Sequence, residues 1–260
     1  MNEANSLIVD KTVDQLRVLV FKDRQTLGKT AGEAAASQIK KLLQVKPSIR
    51  MIFAAAPSQN EFLDTLANSE GIDWSRVTAF HMDEYIGLPL NAPQSFGKFL
   101  TDRLFSRVEP GEVHLIDGTA PIETECERYS RLITEAPIDI VCLGIGENGH
   151  LAFNDPPVAD FNDTAVVKPV ELEHACRQQQ VNDKCFDRLE EVPTHALTLT
   201  IPALTAGAHL YCMVPGTTKR EAVLQTLNDA ISTACPSTIL RLHPSCTLYT
   251  DTDSYGDAVI

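Results

Sequence analysis

The chain has 260 residues, 43% of them hydrophobic, which is enough apolar surface for one sizeable core. A formal net charge of −13 and a pI of about 4.9 argue against a nucleic-acid surface built on clustered Lys and Arg, while leaving room for a small anionic substrate held by a few local cations. Seven cysteines without a CxxC pair argue against structural zinc and for a reducing, cytoplasmic setting; no apolar stretch reaches membrane-spanning length, and the polar start Met1–Asn5 lacks a signal-peptide pattern.

Strand-like and helix-like segments alternate along the chain. Residues 17–21 read as a strand, and 26–43 as a helix with Leu27, Ala31, Ala35, Ile39 and Leu42 at helical spacing, stopped by Pro47. Residues 49–55 form a second strand; 58–66 form a helix opened by Ser58-Gln59-Asn60-Glu61, which fits a capping box. A strand at 77–81, a helix at 94–105, a helix at 122–133 and a strand at 138–143 follow. Residues 157–192 are polar and are expected to form a lid or active-site loop with one short helix. Strands at 197–199 and 210–214, a helix at 219–227 and a strand at 246–250 that closes the sheet complete the pattern. With no linker and no internal repeat, residues 1–260 read as a single doubly wound α/β domain, Rossmann-like, with a mainly parallel sheet covered on both faces.

The most telling stretch follows the apolar run 138–143. Gly144-Ile145-Gly146-Glu147-Asn148-Gly149-His150-Leu151-Ala152-Phe153-Asn154-Asp155-Pro156 breaks a buried strand into glycines, a histidine, two amides and two carboxylates. Glycines allow tight turns and close approach to a ligand, and the carboxyl end of a parallel strand is where open α/β sheets place their chemistry. Phe80-His81-Met82-Asp83-Glu84-Tyr85 puts two carboxylates at the end of another strand. Neighbours on an extended chain point to opposite faces, so one of the two should face a pocket. On residue chemistry alone, Asp83 reads equally as a helix or turn cap and His150 as a structural histidine. His114, His174, His195 and His209 show no metal-ligand spacing.

These two blocks, with Leu240-Arg241-Leu242-His243-Pro244, resemble the glucosamine-6-phosphate deaminases in order and approximate spacing, over nearly the whole chain after about residue 15. The resemblance implies an amino-sugar-phosphate deaminase that converts glucosamine 6-phosphate and water to fructose 6-phosphate and ammonium, with no cofactor and no metal. It implies that His150 opens the pyranose ring and that Asp83 moves a proton between C2 and C1. Asn148 and Asp155 would orient His150, and Asn154 would hold the loop or the substrate. Glu84, Gly146, Ser58, Lys184 and Lys219 would complete the substrate site, the last three at the phosphate. The sequence departs from the family in four places, the first being Asn148, where many members carry aspartate and some asparagine. Asp155 stands where glutamate is usual and is one methylene shorter; Ala55-Ala56-Pro57-Ser58 replaces a glycine-rich phosphate loop; Lys184 falls about where the family has an arginine, with Arg188 a nearby competitor. A galactosamine 6-phosphate enzyme, a 6-phosphogluconolactonase and a non-catalytic sugar-phosphate sensor are the alternatives. The implied partner is a small sugar phosphate, with no nucleic acid and no membrane, and the resemblance allows a homo-oligomer.

Overall fold

The computed structural model describes residues 7–89, 91–182 and 184–256; the polar start Met1–Asn5 lies outside them. Eleven strands form two sheets among these residues. β1 (Leu7–Val13), β2 (Leu16–Phe21), β3 (Ile49–Phe53), β4 (Val77–His81), β6 (Glu112–His114), β7 (Ile140–Leu143), β10 (His209–Val214) and β11 (Cys246–Asp251) make the large one, in the order β1-β2-β11-β10-β7-β3-β4-β6. Every neighbouring pair is parallel except the β1–β2 hairpin. β11 therefore lies inside the sheet, between β2 and β10, and does not close its edge as the sequence suggested. β5 (Asp83–Tyr85), β9 (His195–Leu199) and β8 (Val167–Glu171) form a small antiparallel sheet with β9 in the middle.

The apolar runs of the parallel strands are continuous because both faces are covered. In β7, Ile140 and Cys142 join a core under α1 (Arg24–Val45) and α2 (Asn60–Ala67), while Val141 and Leu143 join one under α5 (Ile122–Thr134) and α8 (Arg220–Asn228). Asp23 caps α1 by accepting from the Thr26 amide. Gly28 and Gly32 let α1 lie against α2, where a methyl group on either would collide with Glu61, Phe62 or Thr65.

The helix expected from residue 58 starts differently. A 3-10 turn, Pro57–Gln59, precedes α2, and Ser58 makes no capping bond. The helix expected over 94–105 begins as α3 (Phe96–Leu100), capped by Ser95, and passes through a π-helical turn, Thr101–Phe105, into α4 (Ser106–Val108). The stretch 157–192 carries more order than its polarity suggested: β8, α6 (His174–Asn182) and a 3-10 turn at Leu189–Glu191. Pro169 is tolerated in β8 because that strand is an edge. Short helices α7 (Ile201–Thr205) and α9 (Thr252–Tyr255) finish the chain order. No helix among the described residues is long and apolar enough to cross a membrane.

Candidate active site

The sheet order dictates where a ligand can sit. From β3 the chain adds β4 and β6 on one side, then returns to place β7, and later β10, on the other. The crossover connections leave β3 and β7 in opposite directions, which opens a crevice beyond their carboxyl ends. A cavity of about 260 Å³ lies there, at the small end of ligand sites. Four strand ends build it: Ala54–Gln59 after β3, Met82 and Asp83 after β4, Gly144–Gly146 after β7, and Pro215–Lys219 after β10. His150, Phe153, Gln179 and Gln180 complete the wall. A wider groove of about 830 Å³ along α1 and α2 is open and lined by exposed charges of both signs, such as Lys29, Glu33, Asp64 and Arg107.

His150 is the best-anchored group. Its Nδ1 lies 2.7 Å from Asn148 Oδ1 and 3.1 Å from Asp155 Oδ1, and its amide donates to the same Asn148 oxygen. Asn148 Nδ2 donates to Asp155 at 2.7 Å. Two acceptors at Nδ1 place the ring proton there and leave Nε2 basic. Asp155 is thus long enough, because the turn brings its backbone close and Asn148 bridges the pair. Burial raises its carboxyl, but hydrogen bonds from His150, Asn148 and Cys176 outweigh that, so it titrates below its ordinary value. Gly146 has no alternative here: a side-chain carbon on it would fall inside the His150 ring. His150, Asp155 and Cys176 form the one cluster among the described residues whose metal-capable atoms come together, within 4.8 Å of one another. The His150–Asp155 contact and the packing of Cys176 behind it account for that grouping.

Asp83 and Glu84 part ways as the strand alternation requires. Asp83 lines the cavity. Glu84 turns from it and accepts the amides of Tyr85, Phe96 and Gly97, at 3.0, 3.2 and 3.0 Å. The helix-capping role open to Asp83 therefore belongs to Glu84, and the expectation that Glu84 touches substrate is corrected. Burial, with Glu84 alongside, holds the Asp83 carboxyl well above the usual range. Burial likewise raises Glu84, to about 7, against the pull of its three amides. His81, two residues earlier, is a core residue whose Nε2 accepts the Ile116 amide at 2.7 Å; burial lowers it to about 3, so it is neutral.

The anionic end is assembled from several places. Ser58 and Lys219 line the cavity, and Lys219 is buried. The starts of the turns leading into α2 and α8 both face it, which suits an anion. Sequence reasoning missed Arg24. It lines the cavity from the first turn of α1, donates to the Pro57 carbonyl at 3.0 Å and pairs with Glu61 at 2.8 Å, fixing the Ala-Ala-Pro-Ser turn. The Asp23 cap next to it marks the helix start, but nothing in the sequence says that this start faces a cavity. Lys184 is exposed and lines an adjoining pocket of about 280 Å³ with Pro93, Gln94 and Phe99, so its expected place beside Lys219 is corrected. Asn154 is buried behind the site and donates to the carbonyls of Leu151 and Leu199; it holds the loop and does not line the cavity. His243 bridges Gly207 and Ser245 and is structural.

A family model described as glucosamine-6-phosphate isomerases/6-phosphogluconolactonase matches residues 22–248. The chain is 32% identical over 240 residues to a glucosamine-6-phosphate deaminase of Bacillus thuringiensis (strain Al Hakam), covering 92% of this chain and 88% of that one. A Bacillus cereus (strain AH820) deaminase gives the same figures. Among solved structures, a monomeric glucosamine-6-phosphate deaminase superposes with a TM-score of 0.84 at 28% identity, covering 91% of this chain and 98% of that one. A 6-phosphogluconolactonase from Thermotoga maritima superposes at 0.75 with 24% identity, covering 93% and 100%, which is a likeness of fold.

Proposed function

We propose that this chain, which belongs to the family of glucosamine-6-phosphate isomerases and 6-phosphogluconolactonases, is a glucosamine-6-phosphate deaminase that converts glucosamine 6-phosphate and water to fructose 6-phosphate and ammonium. The observation that carries this reading is the convergence of Asp83 and His150, from two different strand ends, on one cavity.

In this reading His150 Nε2 shuttles the proton between O1 and the ring oxygen, opening the pyranose; Asp155 and Asn148 keep Nδ1 protonated and the ring aimed. Asp83 removes the C2 proton and returns it to C1, so that an enolamine becomes a ketimine. Water adds to C2 of the ketimine and ammonia leaves. A buried carboxyl held above the usual range is a stronger base than an exposed one, which suits a carbon acid. Lys219, Ser58, Arg24 and the two turn starts would hold the phosphate. A sugar phosphate is the small-molecule partner, and the polar segment 157–192, which brings Gln179 and Gln180 to the cavity, would serve as its lid.

The test compares rates on glucosamine 6-phosphate, galactosamine 6-phosphate and 6-phosphogluconolactone. Ammonia release from the first should dominate, and Asp83→Asn should abolish it, by at least about a thousandfold, while substrate still binds. Undiminished turnover by Asp83→Asn would refute the assigned proton carrier; faster lactone hydrolysis than ammonia release would refute the substrate.

A further inference from the structure

Behind His150 the hydrogen-bonded group does not end at Asp155. Cys176, on α6, is 1% exposed, and its Sγ lies within 4.8 Å of both a carboxylate oxygen of Asp155 and a ring nitrogen of His150. Asp155 already receives His150 and Asn148, and the thiol is the third side chain set against it. Burial, with Asp155 alongside, pushes the Cys176 thiol far up, so it stays S–H, a potential donor beside the carboxylate. One turn further along α6, Gln179 accepts the Glu147 amide at 3.1 Å. Residues 176 and 179 share a helix face, so α6 grips the glycine-histidine loop at two points, its backbone and its carboxylate. Gln179 and Gln180 also line the cavity.

We propose that Cys176 is a positioning residue for the reaction: its thiol fixes the Asp155 carboxylate, and through it His150, and so ties the proton relay to the helix that walls the substrate cavity. The role in turnover rests on the deaminase reading above; the role in orienting His150 does not. A carboxylate has room for several donors, and one left short of a donor can rotate. With Asp155 fixed on three sides, the imidazole keeps one tautomer and one direction.

The contrast that tests this is Cys176→Ala against Cys176→Ser. The alanine variant should lose about tenfold in kcat with KM within about twofold, and the serine variant, which keeps a donor of similar size, should recover most of the loss. If alanine leaves too loose a core to fold, the isosteric pair Cys176→Thr and Cys176→Val repeats the contrast. An alanine variant with unchanged kcat overturns the proposal. So does an equal loss in both variants with KM rising in step, which is what packing alone would give. The 15N signals of the His150 ring separate this from the identity of the substrate. They should move in Cys176→Ala and return in Cys176→Ser even if the native chain released no ammonia from glucosamine 6-phosphate. Ring signals that stay put in both variants overturn the proposal outright.

Discussion

The turns that follow β3 and β7 leave neighbouring strands of one sheet and line one cavity, yet they are built in opposite ways. After β7 the polar side chains bind one another and the glycine makes room for them. Asn148, His150 and Asp155 are joined by hydrogen bonds, Asn154 ties the turn to Leu199, and Gly146 leaves space for the imidazole. After β3, Ala54, Ala55, Ala56 and Pro57 offer no polar side chain, and Pro57 offers no amide hydrogen either. Polarity there is imported: Arg24 from α1, Lys219 from the end of β10, and the starts of two helical turns. In the proposed reading the proton relay, which needs fixed angles, is written into one contiguous loop. An anion site needs mainly charge and amides, which can arrive from separate parts of the chain.

Substitutions can break that contrast or sharpen it. The largest effect is expected for Gly146→Ala, where the new methyl displaces the His150 ring; kcat should fall by more than about a hundredfold while circular dichroism stays native. Near-native turnover would mean that the ring does not need its present position. Lys219→Ala should act at the other end, raising KM for glucosamine 6-phosphate about tenfold or more with a smaller change in kcat. A loss confined to kcat would move Lys219 into the chemistry and erase the division between the turns. A smaller effect concerns pH. In the proposed mechanism Asp83 works only when deprotonated, and its carboxyl is held high by burial and by Glu84. Activity should therefore fall as pH drops through a point above the ordinary carboxylate range, and Glu84→Gln should move that point down. A limb that stays fixed or moves up would show that Glu84 does not act on Asp83. The least effect, under about twofold in KM, is expected for Lys184→Ala, because its side chain belongs to the adjoining pocket. A tenfold rise would bring Lys184 back to the phosphate.

Six parallel strands were legible because each is buried on both faces and so reads as a mostly apolar run. Their order was not, since β2 and β11 carry no mark of being neighbours. β5 and β8 escaped notice because three residues, Asp-Glu-Tyr, and a run containing Lys168 and Pro169 show neither alternation nor apolar continuity. In the candidate site, the local loop was legible: His150, Asn148 and Asp155 are close in sequence, and a turn brings such neighbours together. What depends on tertiary placement was not. Arg24 precedes Lys219 by 195 positions, Cys176 sits in a polar stretch, and the direction of Lys184 is set by a backbone with φ of +60° that its neighbours do not announce.

The interior place of β11 also has a consequence for how the molecule is made. Leu19 and Thr250, bonded across the β2–β11 pair, stand 231 positions apart in the chain. On a ribosome adding about 5–20 residues per second, β2 emerges and waits more than about ten seconds for the strand it belongs beside. Meanwhile β3, β4 and β7 are already made and can offer it a wrong neighbour. The nascent chain thus carries a vacant slot beside β2 through most of its synthesis.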